Sequence, residues 1–168
     1  MRTLGIDHGE RRVGLALSDE DGRIAHPHAT LERRDPRALV SEVAAIVRER
    51  GVESIVVGLP LSLDGREGAS ARRARRFAER LGEETGVPVV LWDERMSTLA
   101  AERALGEAGV RKKAQRAVVD RVAAALVLQS YLDAVNERRE RSEAWGAGEA
   151  PPEADGAAAR DARRSRAR

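Results

Sequence analysis

The first part of the chain alternates between short apolar runs and polar turns. Residues 2–7 and 12–18 are rich in strand-forming side chains, and the polar residues 8–11 between them are typical of a turn. Residues 24–33 follow a second polar turn at 19–22 and can supply a third strand. Three strands this close together in sequence predict an antiparallel meander.

The pattern then changes to helical spacing interrupted by short strands. Asp35 places a capping carboxylate before Pro36, and apolar residues follow at helical spacing until Gly51. Apolar runs at 54–57 and 89–92 predict two buried strands, and further helices are predicted at 69–85, 97–108 and 116–137. Strands separated by helices normally run parallel through right-handed crossovers. The order of elements therefore predicts an α/β fold, a mixed sheet of meander and parallel strands with helices on both faces.

The last part of the chain has a different composition. Residues 138–168 are mostly Glu, Arg, Ala, Gly and Pro, and Trp145 is their only large apolar side chain. Such a segment cannot bury enough apolar surface to offset the entropy of ordering it. We therefore expect residues 1–137 to form one folded domain and residues 138–168 to form a disordered charged tail.

Composition narrows the classes of partner and site. The 168 residues contain 30 basic and 28 acidic side chains, and the imbalance lies in the tail, so a nucleic-acid partner has to be argued from local basic patches. The absence of cysteine excludes disulfides and thiolate metal sites. The chain has neither an apolar run of about 18 residues nor a secretory signal pattern at its start, so a cytoplasmic location without membrane contact is expected.

Carboxylates occur at three places where apolar neighbours make them unusual. Asp7 ends the first predicted strand, Asp93 and Glu94 follow another, and Asp120 lies in a largely apolar helix. Each has an ordinary alternative: a hairpin turn for Asp7, a polar strand end for the pair, and a first helical turn for Asp120. Adjacent residues of a strand point to opposite faces, so at most one of Asp93 and Glu94 shares a site with Asp7.

Together the acids predict a metal site. Open sheets with crossover helices bind ligands beyond the carboxyl ends of their strands, and a helix docked there can bring Asp120 to Asp7 and Glu94. Like charges so close together repel unless a cation neutralises them. Oxygen ligands without thiolates suit Mg²⁺ or Mn²⁺.

Four blocks of sequence, in this order, are similar to the conserved blocks of the YqgF family of the ribonuclease H-like superfamily. They are DHGERRVGLALSD, VVGLPLSLDG, WDERMST and RKKAQRAVVDRVAAALVLQSYLD, and the resemblance covers about residues 2–136. It implies a ribonuclease H-like fold, and it implies that Asp7, Glu94 and Asp120 are the catalytic and metal-binding acids. It thereby selects Glu94 over Asp93.

The resemblance also implies an activity. Members of the family are described as pre-16S rRNA nucleases or as Holliday junction resolvases, so we expect hydrolysis of phosphodiester bonds during 5′-end processing of precursor 16S rRNA in ribosome biogenesis. The alternatives are a resolvase-like DNA endonuclease and a noncatalytic RNA-binding factor of ribosome assembly. As a hypothesis, two divalent ions about 4 Å apart, bridged by Asp7, would activate a water and stabilise the leaving 3′ oxygen.

Basic residues beside these blocks are candidates for contacts with substrate phosphates. They are Arg12, Arg95, Arg111, Lys112, Lys113 and Arg116. The arginines at 72, 73, 75 and 76 are interpreted instead as the solvated face of an amphipathic helix. A kinase- or actin-like nucleotide site, which also uses an Asp-Gly hairpin, is disfavoured because it needs two such domains.

Overall fold

A five-stranded sheet forms the centre of the protein. The computed structural model describes residues 1–96 and 113–147. The strands are β1 (Thr3–His8), β2 (Arg12–Ser18), β3 (Ala25–Glu32), β4 (Ser54–Leu59) and β5 (Val89–Asp93). Their order across the sheet is β3-β2-β1-β4-β5, with antiparallel pairing among the first three and parallel pairing of β1 with β4 and of β4 with β5. The predicted α/β architecture is confirmed.

Two helices cover one face of this sheet. Helix α1 (Pro36–Glu49) begins after Asp35, whose side chain accepts a hydrogen bond from the backbone N–H of Ala38, as the sequence predicts. Helix α2 (Ala69–Thr85) ends at Gly86, which has φ of 67° and closes the last turn. Leu4, Ile6 and Leu15 of the sheet pack against these helices in the larger hydrophobic core.

A third helix, α3 (Lys113–Ala147), covers the opposite face. Its residues Val127 and Leu128 are fully buried and pack with Ala16 and Val56 of the sheet. Burial of a side chain of this size stabilises a fold by about 1.5–3 kcal/mol. None of the helices described is long and apolar enough to cross a membrane.

Glycine on β1 allows α3 to lie directly on the sheet. A Cβ atom added at Gly5 would come within 2.5 Å of Leu128 Cβ and 3.1 Å of the carbonyl oxygen of Ala124. A Cβ contact of 2.5 Å essentially never occurs in real proteins. Any larger residue at position 5 would push the helix away from the strand.

Helix α3 starts earlier and ends later than predicted. It begins at Lys113 and not at residue 116, so Asp120 lies beyond the first turn. It also continues through residues 138–147, which the sequence analysis assigned to a disordered tail; that part of the prediction is wrong. Arg, Glu and Ala favour helix, and Arg139 pairs with Glu143 one turn away.

The chain divides into two compact units, residues 1–136 and residues 137–168. The predicted helix at 97–108 and most of the tail, residues 148–168, lie outside the described residues.

Candidate active site

A row of three residues crosses the α3 face of the sheet at the carboxyl end of β1. Asp7 is paired with Gly14 of β2, and the parallel pairing of Ile6 with Val57 puts Gly58 of β4 on its other side. Asp7 faces α3 because it lies two residues after Gly5, which contacts that helix. A carboxylate is thus flanked by two positions without side chains.

Both flanking glycines leave room for an element that carries another acid. A Cβ atom at Gly14 would collide with the backbone carbonyl of Asp120, and a Cβ atom at Gly58 would lie 2.5 Å from Oε1 of Glu94. The backbone of Asp120 therefore lies over Gly14 at one end of the row, and the side chain of Glu94 lies over Gly58 at the other end. The structure brings the three predicted acids, from β1, the end of β5 and α3, to one edge of the sheet.

The three acids differ in their surroundings. Asp7 and Glu94 are buried, with 6% and 7% of their surfaces exposed. Asp120 is partly exposed, and Arg12 of β2 donates a hydrogen bond from Nε to its Oδ2, forming an ion pair. In the part of the chain that the structure describes, no three acidic or histidine side chains are arranged to hold one metal ion together.

Asp93 and Glu94 lie on different sides of the chain, as strand alternation predicts. Asp93 is the last residue of β5, and both of its oxygens accept hydrogen bonds from Arg95, at 3.0 Å from Nε and 2.6 Å from Nη2. These bonds hold the pKa of Asp93 below its ordinary value. Glu94 begins a short 3-10 helix (Glu94–Met96) and turns over Gly58.

The predicted phosphate-binding residues are only partly described. Arg12 and Arg95 both hold acidic residues, Asp120 and Asp93 respectively. Arg111 and Lys112 lie outside the described residues, and the structure does not describe the side chains of Lys113 and Arg116. Their contacts with substrate stay predictions.

Hydrogen bonds fix α3 on the edge strand and so set the position of Asp120. Thr30 of β3 donates its hydroxyl to the backbone carbonyl of Ala117 at 2.6 Å. Three turns later, Oε1 of Gln129 accepts the backbone N–H of Ala25 at 2.9 Å. The helix therefore has a defined register along β3, with Asp120 over β2.

Sequence reasoning missed the two glycines and the side chain after Asp7. Gly14 and Gly58 lie inside strands, and that placement is itself a signal of close backbone approach. His8, interpreted as part of a turn, is the last residue of β1 and is buried on the opposite face. Burial, and secondarily Arg33, lower the pKa of His8 from 6.5 to about 4.

Comparison with known sequences identifies the family to which this arrangement belongs. The sequence model of the family described as RuvX, Holliday junction resolvase, matches residues 1–134. The chain belongs to the RuvX family. That match spans all five strands and the part of α3 that carries Asp120.

Two curated relatives are similar to this chain over most of their own length. A protein of Syntrophus aciditrophicus is 47% identical over 149 residues, 89% of this chain and 99% of the relative. One of Anaeromyxobacter sp. is 51% identical over 133 residues, 79% and 97% of the two chains. Both carry the provisional name pre-16S rRNA nuclease. The family resemblance that the four sequence blocks predict is confirmed.

A solved structure supports the fold. The RuvC protein of T. thermophilus, in complex with a Holliday junction substrate, aligns with a TM-score of 0.52 at 19% identity and covers 78% of this chain and 94% of its own. At that identity the likeness establishes a shared ribonuclease H-like fold for this RuvX member.

Proposed function

We propose that this chain is a metal-dependent nuclease that cleaves precursor 16S rRNA near its 5′ end. As a RuvX member it is a hydrolase of phosphodiester bonds. The observation that carries the assignment of the site is the convergence of Asp7, Glu94 and Asp120 around the row formed by Gly14, Asp7 and Gly58. The names of the curated relatives support precursor rRNA as the substrate.

The donors at this site suit a hard divalent cation. Asp7 and Glu94 are buried carboxylates with no thiol nearby, since the chain contains no cysteine. Carboxylate oxygens are hard donors, which hard divalent ions prefer as ligands. We assign Asp7 and Glu94 as the principal ligands of Mg²⁺ or Mn²⁺.

Asp120 would be the third ligand only after its contact with Arg12 opens. The ion pair occupies Oδ2 of Asp120 and is partly exposed on both sides, with 22% and 25% of the two side chains accessible. A bound cation would have to replace the positive charge of Arg12 at this carboxylate. Arg12 would then be available to bind a substrate phosphate.

The residues of the chain have distinct parts in the proposed cleavage. Asp7 and Glu94 would hold the ions, and Arg12 would bind and orient the scissile phosphate. The ions, when bound, would activate a water and stabilise the leaving 3′ oxygen. The glycines at 14 and 58 leave room for the backbone of Asp120 and the side chain of Glu94 beside Asp7.

Holliday junction cleavage is the second candidate. The RuvX family description supports it. The same set of acids can hydrolyse either nucleic acid, so the substrate has to be decided by experiment.

Cleavage by purified full-length protein tests both candidates. Parent and Asp7→Asn proteins are given a precursor 16S rRNA fragment and a four-way DNA junction with Mg²⁺ or Mn²⁺ at matched salt. Asp21→Asn, at an exposed turn, is the control for removal of one carboxylate. We expect metal-dependent cleavage of the RNA by the parent and the control, and its loss in Asp7→Asn.

Three outcomes would contradict the proposal in different ways. Equal cleavage by parent and Asp7→Asn would remove Asp7 from the active site. Cleavage of the junction alone would assign the DNA reaction. RNA binding without cleavage of either substrate would favour a noncatalytic assembly factor.

A further inference from the structure

A basic cavity lies on the other face of the sheet, behind Asp7. It has a volume of about 140 Å³ and is bounded by the end of β1, the start of α1 and one side of α2. Its lining contains the arginines at 33, 73, 76 and 80 together with His8 and Phe77. All of these residues belong to the unit of residues 1–136.

Helix α2 supplies most of the charge through its regular spacing. Arg76 and Phe77 lie three and four residues after Arg73, and Arg80 lies four residues after Arg76, so all of them share one stripe of the helix. Phe77 is the buried apolar residue of this stripe and lines the cavity. The arginine-rich helix was interpreted as a uniformly solvated face, but the structure divides it.

The remaining arginines of α2 have other partners. Arg75 forms an ion pair with Glu67, and Arg72 donates a hydrogen bond to the carbonyl of Glu67. Neither lines the cavity. The helix therefore has one set of arginines held by Glu67 and another set that lines the cavity. In the second set, Arg73 also donates a hydrogen bond to the hydroxyl of Ser70.

Arg33 approaches the cavity from the opposite side. Its Nη1 donates hydrogen bonds to the backbone carbonyls of Gly9, at 3.3 Å, and Glu10, at 3.0 Å. These bonds hold the guanidinium over the turn that follows β1. The position of Arg33 is thus set by the backbone and not by a neutralising carboxylate.

The charges of the cavity are not balanced by protein groups. Its lining includes no Asp or Glu, and among the described residues none of its four arginines forms an ion pair. Clustered guanidinium groups repel one another, and an anion between them relieves that repulsion. The cavity has the electrostatics of an anion site.

A buried histidine atom provides independent evidence of an absent partner. His8 is 9% exposed, and its Nδ1 has no hydrogen-bond partner among the described residues. Buried polar atoms nearly always have a partner in native proteins. The ring of His8 lies 4.9 Å from the ring of Phe77 at an angle of 36°. Phe77 is buried beside His8 and so does not offer an exposed ring on which a base could stack.

We propose that this cavity binds a backbone phosphate of the nucleic-acid substrate. Guanidinium groups match phosphate oxygens in geometry and charge. The cavity is large enough for a phosphate group. Its guanidinium groups would recognise the phosphate of the ligand and not the base.

The cavity lies at the same end of β1 as the row of Gly14, Asp7 and Gly58. His8 directly follows Asp7, and consecutive strand residues point to opposite faces, so the two sites lie back to back at the end of β1. A strand that crosses this end of the sheet can place one phosphate at Asp7 and another among the arginines. This assignment of the phosphate to the substrate strand rests on the proposed nuclease function; anion binding by the cavity does not.

Paired arginine variants of the full-length protein test the proposal. Arg76→Ala with Arg80→Ala removes two exposed arginines from the cavity, and Arg48→Ala with Arg72→Ala removes two exposed arginines elsewhere. Binding of inorganic phosphate is measured by titration calorimetry, and binding of single-stranded RNA is measured over a range of salt. EDTA is present throughout, so the metal site does not contribute.

We expect the cavity pair to weaken phosphate binding at least about tenfold and, because one phosphate contact is lost, to reduce the slope of log Kd against log salt by about one. The control pair should leave phosphate binding within about twofold of the parent. Far-UV circular dichroism and melting temperature establish that both variants fold.

Three results would overturn the proposal. They are the absence of phosphate binding by the parent, an equal loss in both pairs, and loss of phosphate binding with unchanged RNA affinity. The last would assign the cavity to a small phosphorylated ligand instead of the substrate strand.

Asp7→Asn separates this proposal from the nuclease assignment. In EDTA the cavity pair should lose phosphate binding whether or not Asp7→Asn is also present. If Asp7→Asn cleaved RNA at the parent rate while the cavity pair lost phosphate and RNA binding, the catalytic assignment would fail and the cavity assignment would stand.

Discussion

The two faces of the sheet present opposite charges at the same end of β1. On the α3 face, glycines bring the backbone of α3 and the carboxylate of Glu94 close to Asp7. On the α1–α2 face, arginines surround His8. Because side chains of a strand alternate, two consecutive residues serve these two environments. In the proposed assignment, the end of β1 therefore has a cation site on one face of the sheet and a phosphate site on the other.

The largest expected effect is a difference in cleavage rate between variants of two neighbouring acids. Glu94→Gln removes a charge from the α3 face and should reduce cleavage by about 10²–10³-fold. Asp93→Asn also removes one negative charge, but the carboxylate of Asp93 accepts hydrogen bonds from Arg95 and is not assigned to the site. Cleavage by Asp93→Asn should therefore stay within a few-fold of the parent. Initial rates on the precursor rRNA fragment measure both. A large loss in Asp93→Asn with a small one in Glu94→Gln would reverse the assignment.

A second test concerns the close approach of α3. Gly14→Ala places a Cβ atom against the backbone carbonyl of Asp120, and we expect a loss of about 3 kcal/mol in the free energy of unfolding. Gly82→Ala on α2 is the matched change on the other face, where the new Cβ would lie 3.4 Å from Val89 Cγ2. There the helix propensity of Ala should raise stability by up to about 1 kcal/mol.

Urea unfolding of both glycine variants measures this difference. Opposite signs would confirm that only the α3 face requires a glycine. Equal stability of Gly14→Ala and the parent would show that α3 does not rest on β2 as described.

The smallest expected effect is a pH dependence on the arginine face. His8 has a pKa of about 4 when folded against 6.5 when unfolded, lowered mainly by burial and also by Arg33 and Arg73. The unfolded chain therefore takes up this proton first as the pH falls. Stability from this group is fully present above pH 6.5 and decreases by about 2–3 kcal/mol as the pH falls to 4.

Denaturation at several pH values, in buffers free of phosphate and metal, checks this dependence. The His8→Gln protein should lack this part of the acid sensitivity, and the exposed His26→Gln control should retain it. An identical pH profile in parent and His8→Gln would show that His8 is not buried as a neutral ring.

The fold could be predicted because its signals are local. The alternation of residues 2–7 and 12–18 and the Asp35–Pro36 start of α1 depend only on neighbours in sequence, and the predicted bounds of α2 agree with the structure. The end of α3 was missed because the composition of residues 138–147 suits both a disordered tail and an exposed helix with ion pairs.

The candidate site needed more than local signals. Strand alternation left Asp93 and Glu94 as alternatives, and only the family resemblance selected Glu94. The ion pair of Arg12 with Asp120 joins residues 108 positions apart, and sequence alone gives no sign of it. The cavity likewise depends on Arg33 meeting α2, which periodicity within the helix cannot predict.

Calorimetric titration of metal-free protein with Mn²⁺ tests the central claim most directly. We expect that the parent binds Mn²⁺, that Asp7→Asn and Glu94→Gln lose most of this affinity, and that Asp93→Asn retains it. Undiminished Mn²⁺ binding by Asp7→Asn and Glu94→Gln would contradict the assignment of these two carboxylates to a metal centre.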